Sequence, residues 1–168
     1  MPVSKPSPSE SRRSEILDAV MRILAKQGVD ELTFERIGKE AGMARSHVVY
    51  YFQNREALVK AAIEFAAASA QGIIEAELAE GEGVDDRLRR YVRGNFEWIR
   101  RHPEHATVYT LLYYLACFKA EYRELHDGIR EAGARRIERI LAKGHWKPRA
   151  RRGLAKAIQA IVTQCPVN

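Results

Sequence analysis

Apolar residues recur along this chain at helical spacing, in segments parted by glycine, proline or short polar turns. Ile16, Ala19, Val20, Ile23 and Leu24 repeat at steps of three and four, the mark of a helix with one buried face. Ser9 to Ser11 offer N-terminal caps for that helix, and Gly28 is placed to end it. A turn over 29–32 leads to Thr33 as N-cap, and Phe34, Ile37 and Ala41 then mark a short second helix up to Gly42. After Gly42 and Met43 a third helix is predicted from Ala44 to Phe52. Val48 and Phe52 share one face of it, and Arg45, Ser46, His47, Tyr50 and Tyr51 occupy the others.

Asn54 caps a much longer predicted helix, from Arg55 to about Glu80, rich in alanine between Ala61 and Ala70. The segment Glu80 to Asp86, with Gly81 and Gly83, reads as a loop. Leu88, Tyr91, Val92, Phe96 and Ile99 describe another amphipathic helix ending before Pro103. An uncharged run, Ala106 to Phe118, reads as a buried helix, and a charged helix follows from Ala120 to Lys143. Beyond Pro148, residues Arg149 to Cys165 form a last helix whose Leu154, Ile158, Ile161 and Val162 make one apolar stripe. No strand pattern and no internal repeat interrupts this series, so the expected fold class is all-α.

Composition narrows the picture. The 168 residues are 46% apolar and 30% charged, enough to bury a core and too apolar for general disorder. No run of about 20 apolar residues suggests a membrane span, and the N-terminus has no apolar segment resembling a secretory signal. A cytoplasmic location without membrane contact is expected. Cys117 and Cys165 lie far apart without metal spacing and read as buried thiols. The net charge of +6 is unevenly spread: residues 1–60 carry 10 Lys and Arg against 8 Asp and Glu, 61–129 carry 8 against 12, and 130–168 carry 10 against 2. The basic excess is C-terminal, so any case for nucleic acid rests on spacing rather than on charge.

That spacing is specific. Two short helices joined by a glycine-containing turn have the geometry of a helix-turn-helix, whose second helix enters the major groove. The run ILDAVMRILAKQGVDELTFERIGKEAGMARSHVVYYFQNREALV, with the Gly28 turn, Thr33, the Ile37 to Gly42 stretch and a Tyr-Phe pair before a long helix, resembles the DNA-binding domain of the tetracycline-repressor (TetR) family. The detailed resemblance covers about 45 of the 168 residues, and the remainder is similar in architecture alone. It implies a flexible tail over 1–10, a helix-turn-helix domain over 11–56, and a helical regulatory and dimerisation domain over 57–168.

Carried over by position, the resemblance implies that Thr33 touches a phosphate and that Arg45, Ser46 and His47 meet base edges or nearby phosphates. Tyr50 and Arg55 would clamp the backbone, with Tyr51 beside them. Such chemistry is apt, since arginine can donate two hydrogen bonds to guanine and helix N-termini favour phosphate. The chain departs from the family at Val49, where tyrosine is usual, and at Ala44, where serine or threonine usually caps the third helix. It also ends where the family usually adds one more helix to the dimer interface. The stripe Leu154, Ile158, Ile161 and Val162 is the expected seam of a homodimer.

Aromatic residues gather in the middle of the chain. Tyr91, Trp98, Tyr109, Tyr113, Tyr114 and Phe118 could pack a core or, on helices that the resemblance puts around a ligand cavity, line a pocket for a small apolar or aromatic effector. His102 and His105 flank Pro103 and Glu104, a spacing that could ligate metal but reads better as a helix junction; no metal and no cofactor is expected. His126 and Asp127 read as a solvated face. No nucleophile elbow, phosphate loop or zinc-protease motif is present, so an enzyme is not expected. The resemblance implies a transcriptional regulator on palindromic duplex DNA, by family habit a repressor released by its effector. The alternative is a helical interaction or small-molecule-binding protein with a vestigial helix-turn-helix and a basic C-terminal segment for an acidic partner.

Overall fold

A computed structural model of the chain describes residues 7–164. Among them it forms eight α-helices and no strand, which makes the fold all-α. They are α1 (Pro8–Gln27), α2 (Phe34–Ala41), α3 (Arg45–Tyr51), α4 (Arg55–Ala79), α5 (Gly83–Arg101), α6 (Pro103–Phe118), α7 (Ala120–Leu141) and α8 (Pro148–Gln164), with a 3-10 turn at Val29–Glu31. Cys165 and residues 1–6 of the expected tail lie outside the described residues.

The first cap is Ser7, ahead of the serines at 9 and 11. Its Oγ accepts from the Glu10 N–H at 3.2 Å, and the Glu10 carboxylate accepts from the Ser7 N–H at 2.7 Å, a reciprocal box that starts the helix at Pro8. Residues 8–10 are thus helical rather than tail. Two compact units follow, residues up to Ala66 and residues from Ala67, so the division falls inside α4. In the first, α1 packs on α2 and α2 on α3. Ile16, Leu17, Val20, Ile37, Val48, Phe52 and Leu58 are buried there, and the Arg22 guanidinium reaches Glu40 across 2.6 Å to tie α1 to α2.

The α4 helix is capped by Asn54, whose Oδ1 accepts from the Ala57 N–H at 2.8 Å. By length and composition alone α4 is apolar enough to cross a membrane, contrary to the expectation that no stretch is. The reason is alanine, which raises hydropathy without adding bulk. Its larger apolar residues are spent on protein cores instead: Leu58, Val59 and Ile63 are buried in the first unit, Ile74 and Leu78 in the second.

In the second unit, Ile74, Leu78, Tyr91, Ile137, Ile140, Leu141 and Ala155 form one buried cluster. The expected loop over 80–86 shrinks to 80–82, because Asp85 and Asp86 belong to the first turn of α5. Asp86 Oδ2 accepts from the Glu82 N–H and from Arg90 Nε, each at 3.0 Å, so a loop-like acidic pair serves a helix start. Close approach between helices is made by glycine: a Cβ on Gly94 would stand 3.0 Å from Ile74 Cα.

Four sequence expectations are corrected here. Leu154, Ile158 and Val162 pack against the buried cluster of their own unit, leaving only Ile161 of the expected seam exposed. The first three are spaced by four and turn to the core, while Ile161, about 60° from the middle of their face, lies at its solvent edge. The α6 helix is two-faced rather than buried: Val108 and Leu112 point inward, while Tyr114, Cys117 and Phe118 are exposed. Cys117 is therefore not a buried thiol. His126, expected on a solvated face, is buried.

Candidate nucleic-acid interface

The turn between α2 and α3 is set by backbone chemistry. Gly42 adopts a left-handed conformation, φ 65° and ψ 32°, and closes α2, a backbone that favours glycine. The Met43 N–H then donates to the Gly38 carbonyl at 2.8 Å. Thr33 caps the other end of α2, its Oγ1 accepting from the Arg36 N–H at 3.2 Å. Ala44 gives α3 no side-chain cap, as its methyl group requires, so the first N–H groups of α3 are not claimed by a capping side chain.

Helix α3 spends almost nothing on the core. Val48 is its one buried residue, with the following Phe52 also buried. Arg45, Ser46, His47, Val49 and Tyr50 all face outward, Tyr50 at 80% exposure. Tyr51 is half-buried and meets Tyr50 edge to face, ring centroids 5.2 Å apart. Tyr50 is thus the one large hydrophobic side chain of α3 that is mostly exposed, with Val49 beside it part-exposed at 37%. Arg45 leans toward Glu35 at 3.6 Å with both side chains largely exposed, a tether weak enough to be exchanged for a base or phosphate.

Two residues differ from expectation. Arg55, expected to clamp a phosphate, donates to the Val29 carbonyl and lies 3.8 Å from Asp30, so it braces the 3-10 turn from within the unit. Arg12 was missed. It lines an open groove with Gly42, Met43, Ala44, His47, Tyr50 and Tyr51, bringing positive charge from α1 to the edge of α3. The signal available in the sequence was the Arg12-Arg13 pair at the start of the first helix; its neighbour Arg13 is used differently, lying over the Phe52 ring at 5.2 Å.

The aromatic residues expected around an effector separate into two sets. Trp98, Tyr109 and Tyr113 adjoin one another, with centroids 6.1 Å and 5.8 Å apart, and Tyr113 meets His126 at 4.7 Å. Tyr91 is core: its hydroxyl bonds the buried Gln159, and burial raises its pKa. Tyr114 and Phe118 lie on the outer face, 63% and 72% exposed, tilted against each other at 5.1 Å. Tyr109 and Tyr113 are four residues apart on one stripe of α6, and Tyr114 and Phe118 form the next stripe round.

His102, Glu104 and His105 gather at the junction of α5 and α6, their ligand atoms within 4.8 Å of one another. The two imidazoles are stacked at 4.8 Å with planes 22° apart. Lone pairs lie in the ring planes, so stacked rings do not aim them at one ion. Glu104 stands 3.6 Å from His102 Nδ1 and 3.9 Å from His105 Nε2, in the first turn of α6.

Similarity to known proteins converges on the same unit. The family model described as bacterial regulatory proteins, tetR family, matches residues 16–62. The HTH-type transcriptional repressor Rv1474c of Mycobacterium tuberculosis is 29% identical over 96 residues, a match covering 56% of this chain and 49% of that protein; the chain thus spans about half the length of that relative. Among solved structures, a TetR transcription regulator from Haloarcula marismortui superposes with a TM-score of 0.76 at 18% identity, covering 92% of this chain and 86% of the other. A protein from Saccharomonospora viridis in complex with choline gives 0.77 at 19%, covering 92% and 82%. Identities this low speak for the fold. The family model thus matches the α2–turn–α3 unit with its flanking helices, and solved structures match the eight-helix fold; the chain is similar to TetR-family regulators in both respects.

Proposed function

We propose that this chain is a sequence-specific DNA-binding transcriptional regulator, acting in the cytoplasm as a homodimer on a palindromic operator. In this reading it is a repressor that a small-molecule effector releases. The observation that carries the DNA-binding reading is α3, a helix with one buried side chain and five outward-facing ones beside a groove edged by Arg12. Arg45, Ser46 and His47 read bases or adjacent phosphates, and Thr33, Tyr50 and Tyr51 hold register on the backbone. Selecting bound sequences from a random duplex pool at physiological salt tests it. A recovered inverted repeat with half-sites about 34 to 36 Å apart supports the regulator; retention without sequence preference supports a helical interaction protein instead.

The same reading calls for two copies, because one reading helix holds only half an operator. With Leu154, Ile158 and Val162 committed inward, the apolar groups that the described residues of this unit offer a second copy include Ile161 on α8 and the Tyr114–Phe118 pair on α6, along with Phe96 on α5 and Trp146. Sedimentation at micromolar concentration checks this. A dimer that Ile161→Glu converts to a 19.1 kDa species supports it, and a monomeric parent protein opposes it.

A further inference from the structure

Four rings run in series through the C-terminal unit: Trp98 of α5, Tyr109 and Tyr113 of α6, and His126 of α7, each meeting the next edge to face. Trp98 and His126 are 6% and 9% exposed. Three polar atoms of the series are buried without a hydrogen-bond partner, namely Trp98 Nε1, the Tyr109 hydroxyl and His126 Nε2. Tyr113 differs, since its hydroxyl donates to the Thr163 carbonyl at 2.8 Å. Each buried polar atom left unpaired costs on the order of 1–3 kcal/mol, and native folds seldom leave three together.

The kind of atom missing can be read from the donors. An indole N–H only donates. The Tyr109 phenol is held neutral, its pKa pushed well above the ordinary value first by burial and then by the neighbouring Tyr113 and Tyr91, so it too has a proton to give. His126 Nδ1 faces the Asp127 carboxylate at 3.3 Å, and its Nε2 is the third of the unpartnered atoms. The half-buried Arg130 lies close enough for its charge to oppose the rise at Tyr109. Its guanidinium joins none of the ion pairs found among the described residues. Two donors and an uncommitted positive charge, set in an aromatic wall, call for a ligand that brings oxygen acceptors, a negative charge and a flat apolar body.

We propose that the C-terminal unit binds a small aromatic carboxylate, its ring against Trp98, Tyr109, Tyr113 and His126 and its carboxylate on Trp98 Nε1 and the Tyr109 hydroxyl, with Arg130 balancing the charge. This rests on the reading of the chain as an effector-responsive regulator and names the chemistry of that effector. A quaternary ammonium ligand would fill the same aromatic surface but would meet donors and a guanidinium, leaving the donors unpaired.

The chain has two tryptophans, so Trp146→Phe leaves Trp98 as the sole indole reporter. Phenylacetate, phenylacetamide and benzyltrimethylammonium share a benzyl group and differ in charge. Phenylacetate is expected to change Trp98 emission saturably and to raise the melting temperature, the amide to bind at least tenfold more weakly, and the cation not to bind. Arg130→Gln should weaken phenylacetate at least tenfold and leave the amide unchanged, while Tyr109→Phe should weaken both. Equal or tighter binding of the cation or the amide overturns the proposal, as does the absence of a saturable response to phenylacetate in a folded protein. Release of operator DNA by a compound that leaves Trp98 emission unchanged would keep the regulator and overturn the aromatic carboxylate. Failure to bind any operator, with phenylacetate still bound, would do the reverse.

Discussion

Gly38 and Met43 touch through their backbones: the Met43 N–H donates to the Gly38 carbonyl at 2.8 Å, and a Cβ placed on Gly38 would stand 2.7 Å from the Met43 carbonyl oxygen. The same Cβ would lie 3.3 Å from the Arg45 nitrogen. The angle between α2 and α3 therefore depends on an absent methyl group. In a helix interior alanine normally gains up to about 1 kcal/mol over glycine, but here the obstructing atoms are backbone and cannot swing aside. Gly38→Ala should be net destabilising by about 1 to 3 kcal/mol, read from chemical denaturation, and should weaken operator binding. A more stable variant would show that the turn is looser than described.

Arg45 is expected to choose a base. Its tether to Glu35 is exposed and worth little, so Arg45→Ala should leave stability nearly unchanged. It should cost about 1 to 3 kcal/mol of operator affinity and relax preference at one position per half-site. Competition binding with singly substituted operators measures this, and equal loss on every sequence would make Arg45 a phosphate contact.

Arg55 is expected to behave as a brace. Losing its hydrogen bond to the Val29 carbonyl should lower the stability of Arg55→Ala by about 1 kcal/mol. The dependence of DNA affinity on salt should stay as in the parent protein. A salt slope smaller by about one per subunit would return Arg55 to the phosphate backbone.

Gly133 makes room for Gln159, since a Cβ there would overlap the Gln159 side-chain amide. That amide in turn accepts the buried Tyr91 hydroxyl. Gly133→Ala should displace it, strand the phenol and cost about 1 to 3 kcal/mol; thermal melts of the variant and of Gln159→Ala should show similar losses. The double variant should lose less than their sum.

The Glu97 carboxylate accepts from Arg100 at 2.6 Å and 2.8 Å and from Arg101 at 2.6 Å. These two guanidinium groups, Arg100 first, hold its pKa down to about 2. A carboxylate with a depressed folded-state pKa stabilises above its ordinary value of 4.5 and loses that contribution as pH falls toward 2. Glu97→Gln should therefore melt below the parent protein at pH 6, with the gap closing between pH 4.5 and 2. A gap independent of pH would assign the effect to packing.

What could be read from the chain alone was short-range. The helix order, the glycine turn before α3, the caps at Thr33 and Asn54 and the outward-facing set Arg45, Ser46, His47 and Tyr50 all follow from spacing within a few residues, where periodicity and capping chemistry act. What the tertiary structure decided was which of two adjacent stripes faces inward. Leu154, Ile158 and Val162 turn to their own core and Ile161 does not; Tyr109 and Tyr113 join the ring series while Tyr114 and Phe118 face out. Neighbouring positions round one helix are equally apolar in sequence, and only partners far along the chain distinguish them. The same holds for Arg55 on Val29 and for His126 against Tyr113. Arginine and histidine carry no mark of their acceptor until distant segments bring a carbonyl or a ring within reach.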